Sequence, residues 1–77
     1  MPLLKRSLTL HKHRTSLALE PEFWEVLEDL ARSRALSLSA LVAEIDDARE
    51  IDAAGVAEDS LSSSLRVAAL NHCRKRP

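Results

Sequence analysis

Arg14-Thr15-Ser16-Leu17-Ala18-Leu19-Glu20-Pro21 decides how this chain is read. Side chains alternate across a strand, so Thr15, Leu17 and Leu19 share one apolar face. Arg14, Ser16 and Ala18 share the other, free to touch something else. Pro21 stops the run. A lone strand leaves its N–H and C=O groups without partners. No second long strand follows, so the partner comes from the few residues upstream or from another chain. Arg6-Ser7-Leu8-Thr9-Leu10 alternates weakly, and a hairpin through His11-Lys12 is one option. His-Lys lacks the Asn-Gly or Asp-Gly chemistry of tight two-residue turns. A copy of the same strand from a second chain is the simpler partner.

The chain of 77 residues has room for one domain with a small core, and such a chain needs disulfides, a metal or a partner subunit. Cys73 is the single cysteine, which excludes an intrachain disulfide, and no C-x-x-C cluster suits zinc. Oligomerisation is the expected remedy and a reducing cytoplasm the expected compartment. Met1-Pro2-Leu3-Leu4-Lys5-Arg6 has no apolar signal core, and no run is long enough to span a bilayer.

The net charge of −1 conceals an asymmetry. Lys5, Arg6, Lys12 and Arg14, with His11 and His13, precede every acid. All 12 acids lie between Glu20 and Asp59. A positive patch of this kind is the footprint of nucleic-acid binding, brought together further in a symmetric dimer, or else a solvated arm. A transit peptide would share its composition, but the strand pattern and the proline stop argue against that.

Pro21 suits the first turn of a helix, and Glu20, Glu22 and Glu25 suit its positive end. Phe23, Leu27, Leu30 and Ala31 recur at helical spacing, widened by Trp24 and Val26, with an end near Arg34 or Ala35. Phe23 and Trp24 read as core or interface anchors rather than platforms for bases. Ser37 or Ser39 caps a second helix whose buried stripe is Leu41, Val42, Ile45 and Ala48. The Leu36-Ser37-Leu38-Ser39 turn is a phosphate site or a plain cap. Glu50 to Asp59, around Gly55, reads as a loop. Ser60 caps a third helix from Leu61 to about Arg74, with Leu61, Leu65, Ala68, Ala69 and His72 on one side and Val67 and Leu70 extending it. Arg74, Lys75 and Arg76 complement its dipole. The division is thus a basic arm or hairpin over 1–12, strand-helix-helix over 13–50, a loop over 51–59 and a helix over 60–74.

Nothing in the sequence supports an enzyme: it has no Gly-rich phosphate loop, no G-x-S-x-G and no H-E-x-x-H. His11 and His13, at i and i+2, would share one side of a strand, and no metal or other cofactor is expected. Asp46-Asp47 and Glu58-Asp59 read as a solvated acidic face that repels DNA and orients the basic side toward it.

Lys5-Arg6-Ser7, His13-Arg14-Thr15-Ser16, Leu19-Glu20-Pro21-Glu22-Phe23-Trp24, Leu36-Ser37-Leu38-Ser39-Ala40-Leu41-Val42 and Leu61-Ser62-Ser63-Ser64-Leu65-Arg66-Val67 stand in a telling order. Together, over roughly residues 5 to 74, they resemble the ribbon-helix-helix DNA-binding family, and more narrowly its bacterial subfamily with an extra C-terminal helix. The resemblance implies a mainly α fold with a short β-ribbon, an intertwined homodimer, and an antiparallel ribbon in the major groove. By position it assigns base contacts to Arg14, Ser16 and Ala18, and phosphate contacts to Ser37, Leu38 and Ser39. Ala18 is shorter than the usual third reader. The family's usual glycine before the second helix is missing, with Ala35 nearby, so a less sharply wound turn is expected. Charge and position add Lys5, Arg6 and Lys12 as phosphate contacts. The expected dimer core is Leu17, Leu19, Phe23, Trp24, Leu27, Leu30, Leu41, Val42 and Ile45. The function so implied is sequence-specific duplex DNA binding by a small bacterial transcriptional regulator. The alternative is an antitoxin or protein-interaction module that meets its partner through the third helix or the acidic loop. It ranks second because antitoxins normally carry a longer disordered extension.

Overall fold

The computed structural model describes residues 2–49 and 60–75. Its elements are β1 (Leu4–Leu10), β2 (His13–Leu19), α1 (Pro21–Ser33), α2 (Leu38–Asp47) and α3 (Leu61–Lys75). The loop expected over 51–59 and the basic residue Arg76 lie outside the described residues.

The strand β2 finds a partner within its own chain. β1 pairs with it antiparallel, from Leu4 opposite Leu19 to Leu10 opposite His13. Of the two partners the sequence allows, the upstream hairpin fills one edge of β2 from within the chain. The reason lies in the turn, where His11 and Lys12 have φ of 51° and 69°. Left-handed backbone at both central residues defines the type I′ turn, whose twist matches that of the flanking strands. Neither residue is Gly or Asn, and an L-residue in this region costs about 1–2 kcal/mol. Seven residues on each strand, together with the burial of Leu8 and Leu10 beneath the hairpin, offset that cost.

Pro21 opens α1, and the Glu20 carbonyl accepts the Phe23 and Trp24 N–H groups at 3.0 and 3.3 Å. Leu19 and Trp24 stand at the two positions of a hydrophobic staple, and both lie in the buried core. Trp24 also donates its Nε1–H to the Leu4 carbonyl at 2.7 Å, which ties the start of β1 to α1. At the other end, Leu36 N–H donates to the Ala31 carbonyl at 2.8 Å and Ala35 N–H to the Arg32 carbonyl at 3.1 Å. This is the paired bonding of a Schellman turn. Ala35 takes the left-handed position at φ 56°, so the sharp turn forms without glycine, against the looser winding expected. The two terminal hydrogen bonds and the partly buried Leu36 hold it.

Ser37 caps α2, its Oγ accepting the Ala40 N–H at 3.0 Å. Leu41 and Val42 are fully buried. Ile45 is half-buried and Ala48 exposed, so the buried stripe is shorter than its spacing suggested. Ser60 caps α3, its Oγ accepting the Ser63 N–H at 3.1 Å. Leu65 and Ala69 are buried, but Val67 and Leu70 are 56% and 55% exposed and do not extend the stripe. They lie about 200° and 140° around the helix from Leu65, on its far side.

The helix α3 packs on α1 and α2. Arg66 donates through Nε to Glu20 Oε1 at 3.1 Å and places Nη2 3.0 Å from the same oxygen, and its guanidinium lies 5.8 Å from the Phe23 ring. Further along, His72 Nε2 sits 2.9 Å from Asp29 Oδ2. The Glu20 carboxyl is held below the usual carboxylate range by its own backbone N–H and then by Arg66. With β1 and α3 in place, the single chain encloses Leu19, Leu27, Leu41 and Val42 completely and Trp24 to 2% exposure. Leu17, Phe23, Leu30 and Ile45 stay half-buried. No helix among the described residues is long and apolar enough to cross a membrane.

Candidate nucleic-acid interface

Alternation places Lys5, Ser7 and Thr9 of β1 on the same outward face as Arg14, Ser16 and Ala18 of β2. The register sets Lys5 opposite Ala18, Ser7 opposite Ser16 and Thr9 opposite Arg14. All are exposed except the half-buried Ala18, and no acid stands among them. In a two-residue hairpin the pair flanking the turn, here Leu10 and His13, is hydrogen-bonded, and bonded and non-bonded pairs alternate from there. The three outward pairs are therefore the non-bonded kind, in which side chains stand closest.

The same phase decides the free edge. Thr15 and Leu17 turn their backbone groups toward β1, while Arg14, Ser16 and Ala18 turn theirs away from it. Among the described residues the sheet has two strands, so that edge of β2 is open.

The other sequence candidates distribute themselves around this face. Lys12 is exposed at the tip of the turn. Arg6 points the other way, its guanidinium 5.2 Å from the Trp24 ring and bonded to Glu28 Oε1 at 2.5 Å. The basic arm is thus split by strand alternation: Lys5 joins the outward face and Arg6 braces the hairpin on α1. His11 and His13 do not share a strand face, because His11 occupies the turn. The His11 ring reaches Asp47 Oδ1 at 2.8 Å, and the ligand atoms of His11, Asp46 and Asp47 lie within 4.8 Å of one another. These are the donor types a divalent ion uses, but Asp46 is also ion-paired with Arg49, with Oδ1 3.1 Å from Nε. The cluster as it stands ties the turn to the C-terminal end of α2 through the His11–Asp47 contact. At the other end of α2, the Leu38 and Ser39 N–H groups belong to the first turn, where the helix offers no carbonyl to receive them.

A family model for the ribbon-helix-helix domain matches residues 3–73. The chain belongs to the ribbon-helix-helix family. Membership supports a DNA-binding or regulatory role in general. A solved structure of an uncharacterized protein from Bordetella pertussis Tohama I is similar over 94% of this chain, at 33% identity and a TM-score of 0.74. This chain spans 56% of that protein's length. No curated protein matches the chain.

Arg14, Ser16 and Ala18, the residues to which the resemblance assigns base contacts, stand together on one face. The sequence reading missed Ser7 and Thr9. The signal was present in the weak alternation of Arg6 to Leu10, but their face follows only once a two-residue turn fixes the register.

Proposed function

We propose that two copies of this chain join through their open β2 edges and bind duplex DNA in the major groove as a small transcriptional regulator. The observation that carries this reading is the acid-free outward face beside an unpaired β2 edge, in a chain of this family. Seven-residue strands paired about a two-fold axis overlap fully when Ser16 faces the partner's Ser16. Arg14 and Ser16 and Ala18 then all use their free backbone groups, and Arg14 falls beside the partner's Ala18. The small Ala18 side chain leaves room there for a guanidinium.

Each reader has a stated chemistry. The Arg14 fork donates to O6 and N7 of a guanine, the Ser16 hydroxyl donates or accepts, and the Ala18 methyl touches at most a thymine methyl. Joining the half-buried Leu17, Phe23, Leu30 and Ile45 of two chains would extend the core across the two-fold. Selection of bound fragments from random duplexes tests the reading together with sedimentation of the free protein. The expected result is a dimer that enriches a two-fold related element containing guanine. A monomer with no enrichment contradicts it.

A further inference from the structure

We infer that β1 forms a second DNA-binding row, in which Lys5, Ser7 and Thr9 hold the phosphates along both rims of the groove while β2 reads the bases within it. The inference rests on the DNA-binding reading above and adds contacts that a two-stranded ribbon does not have. Joining two hairpins through β2 gives the strand order β1, β2, partner β2, partner β1. Neighbouring strands lie about 4.8 Å apart, so the outer strands are separated by about 14 Å. The major groove is about 12 Å wide. The β2 strands therefore fit inside the groove, and the β1 strands, each about 7 Å from the two-fold axis, stand over its walls.

The side chains suit those positions. The row presented by β1 is one cation and two hydroxyl donors: Lys5, Ser7 and Thr9, all exposed. Ammonium and hydroxyl groups are ordinary phosphate donors. None of the three has a hydrogen-bonding or charged partner within the described residues, whereas Arg6 on the reverse face is held by Glu28. Lys5, on the outer strand, stands opposite Ala18, so the rim lies on the side of Lys5 away from its cross-strand neighbour. Binding by β1 is thus independent of base sequence, and binding by β2 is not.

The test compares β1 and β2 variants of the full chain on a selected duplex and on duplexes altered at single bases, over a range of salt. Lys5→Gln is expected to weaken binding on every duplex alike and to flatten the salt dependence by about two units per dimer, one phosphate per chain. Ser7→Ala with Thr9→Val is expected to weaken binding about three- to tenfold on every duplex, with base preference unchanged. Neutral methylphosphonates placed at the groove rims should weaken the wild type and weaken Lys5→Gln by less, a readout that does not depend on the double variant folding. Wild-type affinity in the β1 variants, or a changed base preference, overturns the inference while Arg14-dependent binding still stands. Absence of DNA binding by the wild type overturns both.

Discussion

The two faces of one hairpin, built from the same fourteen residues, do opposite work. The inward face carries Leu8, Leu10 and Leu19 into the core and braces Arg6 across Trp24. The outward face carries Lys5, Ser7, Thr9, Arg14 and Ser16, whose side chains have no hydrogen-bonding or charged partner among the described residues. A strand shifted by one residue would exchange these sets. The type I′ turn at His11 and Lys12 therefore fixes more than a reversal of the chain: it decides which basic residues brace the fold and which stay available.

The largest effect that can break this comparison is on the inward side. Leu19→Ala is expected to destabilise the fold by about 3 kcal/mol, because a fully enclosed side chain leaves a cavity. A urea titration measures this, and a loss below about 1 kcal/mol would mean that the hairpin is not seated on the core as described. Adjacent residues sharpen the contrast next. Arg6→Ala should cost about 0.5–1 kcal/mol of stability through its half-exposed ion pair and ring contact. Lys5→Ala should leave stability within about 0.5 kcal/mol of the wild type. Equal effects in thermal melts would contradict their assignment to opposite faces.

Two smaller effects concern how the helices hold the inward face. Ala35→Gly removes a left-handed alanine and is expected to stabilise by about 0.5–1 kcal/mol, read as a rise in the thermal midpoint. Glu20 is held below the usual carboxylate range by its own backbone N–H and by Arg66. Its contribution is therefore present above that range and fades as the pH falls through it toward the folded value. Glu20→Gln should flatten the acid side of the stability profile, and an unchanged acid limb would mean that the link to Arg66 is idle.

Much of this was legible in the sequence. Pro21, Ser37 and Ser60 mark helix starts by local chemistry, and the alternation of Arg14 to Leu19 separates the outward row from the inward one. The hairpin was harder to read because its turn uses His11 and Lys12, of which only the histidine carries even a weak preference for left-handed backbone. The turn before α2 was obscured in the same way by Ala35. In each case tertiary burial holds a conformation that the local residues do not favour. The exposure of Val67 and Leu70 was hidden for another reason: helical spacing identifies an apolar side chain but not whether a neighbour covers it. Membership in the family carries the ribbon and helices, while the pairing of β1 with β2 follows from the structure.

The most direct test of the central claim is a titration of wild type and Arg14→Ala against a selected duplex at one fixed salt concentration. A loss of about 1–3 kcal/mol in specific binding is predicted, roughly a factor of five to a hundred and fifty, with an unaltered thermal midpoint. Equal affinity of the two proteins for that duplex would contradict the assignment of the outward face of β2 as the DNA-reading surface.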